Sequence, residues 1–319
     1  MSRASLRSLS VRSLSLFSLL AAFGACSESA PDLDGGGGAD GSGTDGDSGS
    51  GGAPLATGGA GSGTGGAASG GSATGATGGT PGSGGGPTGE CEGIEGILSE
   101  SEFNALFPNR NAAYTYQGML DAVNGAGDLT GFPEFARTGD CDTRKRELAA
   151  FLANVSRETG LLIYIEQINK SGDYCAEQQP YGCPAGTNQY YGRGPIQLSW
   201  NYNYRAASLA LFGDDRLLQA PSLVATTPSI AWATGFWFWM NGGGDYSPHD
   251  AIVTGGGFGD TIRIINGGEE CDGGYQSYAE EAVSQRVCWY EKYVAEFDTT
   301  VGPGDLNCNT TLDREQYCD

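Results

Sequence analysis

The chain has 319 residues, 38 of them Asp or Glu against 17 Lys or Arg, for a formal net charge of −21. That balance excludes nucleic acid and anionic membrane surfaces as natural partners and leaves a neutral or cationic polymer open. With one histidine, His249, and no CxxC pair among nine cysteines, a zinc site is excluded as well.

In chain order, residues 1–26 read as an export signal. Arg3, Arg7 and Arg12 precede an apolar run from Leu14 to Phe23 that is too short to span a bilayer. The run ends Phe23-Gly24-Ala25-Cys26, the pattern of a bacterial lipoprotein cleavage site, which would leave Cys26 as a lipidated N-terminus; an ordinary secretory signal is the alternative. Residues 27–90 are almost pure Gly, Ser, Thr and Ala with scattered Asp, and hold no Lys, Arg or aromatic residue. Such a composition cannot bury enough apolar surface to offset the entropy of ordering, so a flexible linker is expected. Residues 91–319 suffice for one core. Without Cys26, the cysteines Cys91, Cys141, Cys175, Cys183, Cys271, Cys288, Cys308 and Cys318 are even in number, which in an exported domain implies disulfides.

Within 91–319 the pattern is mostly helical. Ser99 and Glu102 form a capping-box pair at the start of a helix to Phe107. Ala112–Val123 is a second amphipathic segment. The clearest helix runs from about Thr143 to Thr159, where Leu148, Phe151, Leu152 and Val155 recur at helical spacing and Gly160 is a stop. Thr227-Pro228 opens a helix whose body, Ile230 to Met240, is apolar on nearly all sides and is expected to be central. Ser247-Pro248-His249-Asp250 reads as a capped turn with a structural histidine. A last helix spans about Tyr278 to Phe297.

The stretch most suggestive of chemistry is Tyr190-Tyr191-Gly192-Arg193-Gly194-Pro195-Ile196-Gln197-Leu198-Ser199. Paired aromatics, glycines and alternating amide and hydroxyl groups suit one wall of a groove for a polar ring. Gln197 and Ser199 share strand parity and are expected to face the same side; Ser199 also suits a helix cap, with Tyr202 and Asn203 following. Upstream, Glu158 extends the apolar stripe at the end of its helix, where lost hydration favours the protonated form that a general acid needs. The alternative is a helix-end Glu paired with Arg157, Arg144 or Lys145. Glu166 lies eight positions on. In one continuous helix the two carboxylates would be about 12 Å apart; a break at Gly160 brings them toward the roughly 6.5–9.5 Å of an inverting glycosidase. Asn266 ends an apolar run at a turn. Arg286, flanking the stripe of the last helix, is placed to orient Glu158 or Glu166. The glycines at 242–244 and 255–257 lack the context of a phosphate loop.

Phe151–Gly160, Tyr190–Tyr204, Ile264–Cys271 and the Gly302–Cys308 end resemble, in the same order, the signature segments of glycoside hydrolase family 19 chitinases. The resemblance covers about 98–308. It implies a mainly α, lysozyme-like α-rich (α+β) domain with a deep cleft, and endo-hydrolysis of β-1,4-linked N-acetylglucosamine polymer with inversion, without cofactor or metal. It implies Glu158 as general acid, a general base near Glu166, which as the only carboxylate between Glu158 and Asp173 is assigned that role, and Ser199 as a residue positioning the water. Gln197, Tyr202, Asn203, Asn266, Arg286 and Tyr191 match cleft residues, and Cys175–Cys183 and Cys271–Cys308 match recurring disulfides. Two departures stand out: Arg157 replaces the usual His before the acid, and the register around Glu166 is shifted by one residue. The partner implied is chitin or a related polymer met by a monomer, with a peptidoglycan hydrolase or a non-catalytic chitin-binding protein as alternatives.

Overall fold

The computed structural model describes residues 91–271 and 276–308. The export signal, Cys26, the linker and Cys318 lie outside the described residues. Among the described residues, ten helices make up the framework: α1 (Glu100–Leu106), α2 (Tyr116–Asn124), α3 (Cys141–Thr159), α4 (Asn201–Phe212), α5 (Arg216–Gln219), α6 (Leu223–Thr226), α7 (Pro228–Asn241), α8 (Pro248–Val253), α9 (Phe258–Glu270) and α10 (Gln276–Glu296). The only strand-like pairings among these residues are two antiparallel bridges, Glu166 with Arg193 and Arg193 with Leu198.

Local chemistry explains where the strongest helices begin and end. Ser99 and Glu102 make the reciprocal capping box expected of them. Thr115 caps α2, so this helix starts four residues later than its amphipathic pattern suggests. Asp140 accepts from the Thr143 amide at 2.8 Å and opens α3, and Gly160 closes it in the left-handed conformation. The Ser247 segment is more than a turn: a capping box with Asp250 and Pro248 at the first position launch α8.

The core forms where α3 meets α10 and where α2 meets α7. Phe151 of α3 is fully buried and stacks on Phe236 of α7 with ring centroids 4.8 Å apart, while Trp239 and Phe135 meet its edge at 5.5 and 5.3 Å. Helix α7 is central, as its all-round apolarity requires. Among the described residues, disulfides join Cys91 to Cys141, Cys175 to Cys183 and Cys271 to Cys308. The glycines near 255 serve packing. A Cβ on Gly259 would stand 2.2 Å from the Asn307 carbonyl oxygen, so only glycine lets the 303–308 segment lie against α9.

A carboxylate of α3 sits deep in this core. Glu147 of α3 is fully buried; one carboxylate oxygen accepts from the Ala136 amide at 2.8 Å, the other from Trp239 Nε1 at 3.1 Å and meets His249 Nδ1 at 2.5 Å. Burial opposes protonation of His249, but the facing Glu147 carboxylate outweighs it, with Asp250 and Glu134 adding in the same sense, and the imidazole pKa is raised. A cation with a raised pKa stabilises the fold fully below its unfolded value, about 6.5, and that contribution is lost as pH rises through the folded value. His249→Gln should therefore lower the melting temperature most near about pH 5, with the gap to wild type narrowing toward about pH 9, as measured by thermal unfolding across that range.

Candidate active site

Glu158 lies in the last turn of α3 with its side chain 11 % exposed. Its partner is neither Arg157, Arg144 nor Lys145 but Arg286 of α10, whose Nη2 donates to Glu158 Oε1. Arg286 is buried and also grips Glu270 of α9: Nε donates to Oε2 and Nη2 to Oε1, both at 2.7 Å. Its Nη1 donates to Asn154 Oδ1 at 3.1 Å. Burial pushes the Glu270 carboxyl up, but the Arg286 guanidinium more than compensates and holds it below the ordinary carboxylate range. Asn266, read from sequence as a turn residue, instead sits inside α9 at a kink (φ −148°, ψ 35°), from which its Nδ2 donates to Glu270 Oε1 at 2.9 Å. Arg157 takes no part in these bonds: its guanidinium lies 5.4 Å from the centre of the Tyr278 ring, and it forms no ion pair among the described residues.

After Glu158 the chain makes a left-handed turn. Gly160, Leu161 and Leu162 all have φ near +60°. Each leucine there costs about 1–2 kcal/mol of backbone strain. The Thr159 hydroxyl holds the turn by donating to the Val155 carbonyl at 2.6 Å and accepting from the Leu162 amide at 2.7 Å. The chain then reaches Glu166, which bridges to the 190–199 segment. Glu166 Oε1 accepts from the Tyr191 hydroxyl at 2.9 Å and from Arg193 Nε at 3.0 Å, and Oε2 pairs with Lys170. Partial burial raises the Glu166 carboxyl, but hydrogen bonds from Lys170, Tyr191 and Arg193 together hold it below its usual value. Behind it, Arg193 is fixed by the Gln189 carbonyl at 2.6 Å and the Tyr204 hydroxyl at 2.9 Å.

The strand parity expected for Gln197 and Ser199 does not hold. Residues 194–197 form a turn that closes the Arg193–Leu198 bridge, with Gln197 at φ 52°. Gln197 is buried; its Nε2 donates to the Gly194 carbonyl at 2.9 Å, and its Oε1 has no hydrogen-bond partner among the described residues. The Ser199 hydroxyl donates to the Gln197 carbonyl at 2.9 Å rather than capping α4, whose N-cap is Trp200. Asn203 Nδ2 donates to the Ser199 carbonyl at 3.0 Å, and Tyr202 stacks on Trp200 with centroids 5.8 Å apart.

The structure thus gathers the candidate residues into two clusters joined by the left-handed turn: Glu158, Arg286 and Asn266 in one, Glu166 and Tyr191 in the other, with Gln197, Ser199, Tyr202 and Asn203 along the adjoining hairpin and α4. Two residues of these clusters escaped the sequence reading as site candidates. Glu270 stands beside Glu269 in a polar run, and Arg193 lies inside the conspicuous hairpin; the burial of each is set by distant contacts.

The family model for chitinase class I matches residues 97–308. The chain belongs to the glycoside hydrolase family 19 chitinases. Chitinase 6 of rice (Oryza sativa subsp. japonica) is 43 % identical over 198 residues, spanning 61 % of this chain and 66 % of the rice protein. Inactive chitinase-like protein 1 of Hevea brasiliensis is 36 % identical over 246 residues, 66 % of this chain and 74 % of that one. The crystal structure of chitinase C from Streptomyces griseus HUT6037 superposes with a TM-score of 0.60 at 49 % identity, covering 68 % of this chain and 82 % of that one. The α-rich, lysozyme-like fold of family 19 is therefore the fold of this chain.

Removing the cation between Glu158 and Glu270 leaves buried carboxylates without compensation. Arg286→Ala should cost about 3–5 kcal/mol in denaturant unfolding. In the double variant with Glu270→Ala the loss should be clearly smaller than the sum of the two singles, a coupling that a double-mutant cycle measures directly.

Proposed function

We propose that this chitinase-family enzyme cuts β-1,4 linkages within chitin by single-step inverting hydrolysis. Glu158 donates a proton to the glycosidic oxygen as that bond breaks. Glu166 takes a proton from water, whose oxygen bonds to the anomeric carbon from the opposite face, giving an α-configured reducing end. The observation that carries this reading is the contrast between the two carboxylates. Glu158 is held near the core by a guanidinium whose charge Glu270 already matches through two bonds. Glu166 is surrounded by donors that favour its ionised form, as suits a base.

The hairpin supplies the rest of the proposed site. A buried acceptor without a partner costs about 1–3 kcal/mol, and Gln197 Oε1 is such an atom among the described residues. A sugar hydroxyl or acetamido N–H would satisfy it. Ser199, whose proton is committed to the Gln197 carbonyl, has oxygen lone pairs free to hold the attacking water. Tyr202, Asn203, Asn266 and Tyr191 complete the proposed substrate wall, directly or through the carboxylates they orient.

The disulfides fit an oxidising compartment. The basic and apolar leader, residues 1–26, followed by the Gly-rich segment 27–90, supports export and tethering of the 91–319 catalytic domain through a lipid on Cys26.

Glu158→Gln and Glu166→Gln should each reduce hydrolysis of N-acetylglucosamine oligomers by a factor of about a hundred or more, with the wild-type product appearing first as the α-anomer by proton NMR. Release of fragments from purified sacculi but not from chitin would reassign the substrate to peptidoglycan. Chitin binding with no new reducing ends would place the chain with the inactive relatives.

A further inference from the structure

The two oxygens of Glu166 are not equivalent. A carboxylate oxygen has two lone pairs, and those of Oε1 are both taken, by the Tyr191 hydroxyl and by Arg193 Nε. Neither donor is free to leave. Arg193 is buried, lies 3.7 Å from the centre of the Tyr191 ring, and is tied to the Gln189 carbonyl and the Tyr204 hydroxyl. Oε2 differs: among the described residues its one donor is Lys170. The Lys170 side chain is 44 % exposed, and its Nζ also lies 5.0 Å from the centre of the Tyr191 ring.

We propose that Glu166 Oε2 is the oxygen that takes the proton from water, and that Lys170 is the positioning residue that governs it. The inference rests on the assignment of Glu166 as the base. Oε1 is saturated by a rigid pair of donors, so the water must come to Oε2. There Lys170 fills one lone pair, directs the water to the other, and by its charge keeps the oxygen ionised. Of the groups facing this carboxylate — Lys170 on its own loop, Tyr191 and Arg193 on the hairpin, and Tyr204 of α4 behind Arg193 — Arg193 and Tyr204 are buried and Tyr191 is half-buried with its ring against the Arg193 guanidinium, so the exposed Lys170 is the donor best able to move as substrate enters. The lowered carboxyl of Glu166, held down against burial by hydrogen bonds of which that from Lys170 comes first, is consistent with this role.

The test is the pH dependence of kcat/KM of the full chain on a soluble N-acetylglucosamine oligomer. An exposed ion pair shifts a titration by about half a unit. In Lys170→Met the acidic limb should move up by that amount, so that the rate on the acidic side falls about threefold relative to wild type. In Lys170→Arg the limb should return to the wild-type position. A purely structural role would lower the rate at every pH and leave the limb where it was. A Lys170→Met limb coincident with wild type, or a Lys170→Arg limb displaced like that of Met, overturns the proposal. Glu166→Gln runs alongside: if it is inactive while the Lys170→Met limb does not move, only the role of Lys170 fails. If Glu166→Gln keeps wild-type turnover, or the wild-type chain releases no product, the assignment of the base fails and this inference with it.

Discussion

A guanidinium in a protein core must be matched by anions, because it cannot shed its charge and cannot be left unpaired there. Arg286 is that guanidinium. Its fork reaches Glu270 of α9 through two bonds and Glu158 and Asn154 of α3 through the others. Three helices are therefore referred to one planar group, and each has adapted to it. Helix α9 kinks at Asn266 so that the amide supports Glu270. Asn154 is fixed from its other side by the Thr261 hydroxyl at 3.0 Å, which ties α3 to α9 independently of the charge. The end of α3 and the point where the chain leaves it are thereby set by electrostatics as much as by packing.

The path of the chain beyond α3 depends on that anchored end. Three successive left-handed residues, two of them leucines, are an expensive way to leave a helix. They are stable because Leu162 is fully buried, its carbonyl accepts from the Asn111 amide at 2.8 Å, and Thr159 closes the loop from inside. The turn delivers Glu166 to the hairpin from a different direction than a continued helix would. It also places the two carboxylates in different surroundings. One is held by a cation that a second acid already neutralises; the other is held by donors of its own. The difference in environment, more than the identity of the residues, supports the opposite proton-transfer roles proposed for the two glutamates.

The parts of this structure that were legible in the sequence are those with local causes. Capping residues and apolar spacing mark α1, α3, α7 and α10; Glu158 and Arg286 stood out because a charge on or beside an apolar stripe has to be explained, and Glu166 by its spacing from Glu158. Non-local causes were not legible. The hairpin looked like a strand because period-two alternation was the only rule available, whereas a left-handed Gln197 and a bridge between Arg193 and Leu198 decide its path. Helix α9 was hidden because Asn266, followed by Gly267 and Gly268, read as the turn that ends an apolar run; contacts with the 303–308 segment and the disulfide to Cys308 support it. Glu270 escaped notice because its partner lies 16 residues away on another helix, and the resemblance of whole segments did not say which acid Arg286 serves.

The second buried ion pair shows why the choice of cation matters. Glu147 and Glu158 sit on the same helix, and both meet a cation from a later part of the chain. For Glu147 that cation is His249, whose charge depends on pH even with its pKa raised. For Glu158 it is Arg286, whose charge does not. The Glu147 pair can tolerate a titrating partner, since the Ala136 amide and the Trp239 indole still bind the carboxylate when the imidazole is neutral. The Glu158 cluster is more exposed to such a loss: Asn266 supports Glu270, but two carboxylates converge on one guanidinium, and losing its charge would leave them to repel each other in a poorly hydrated site. Only a permanent cation can hold that arrangement through the proton transfers proposed for Glu158, because the proton then moves between acid and substrate and never to the group that positions them.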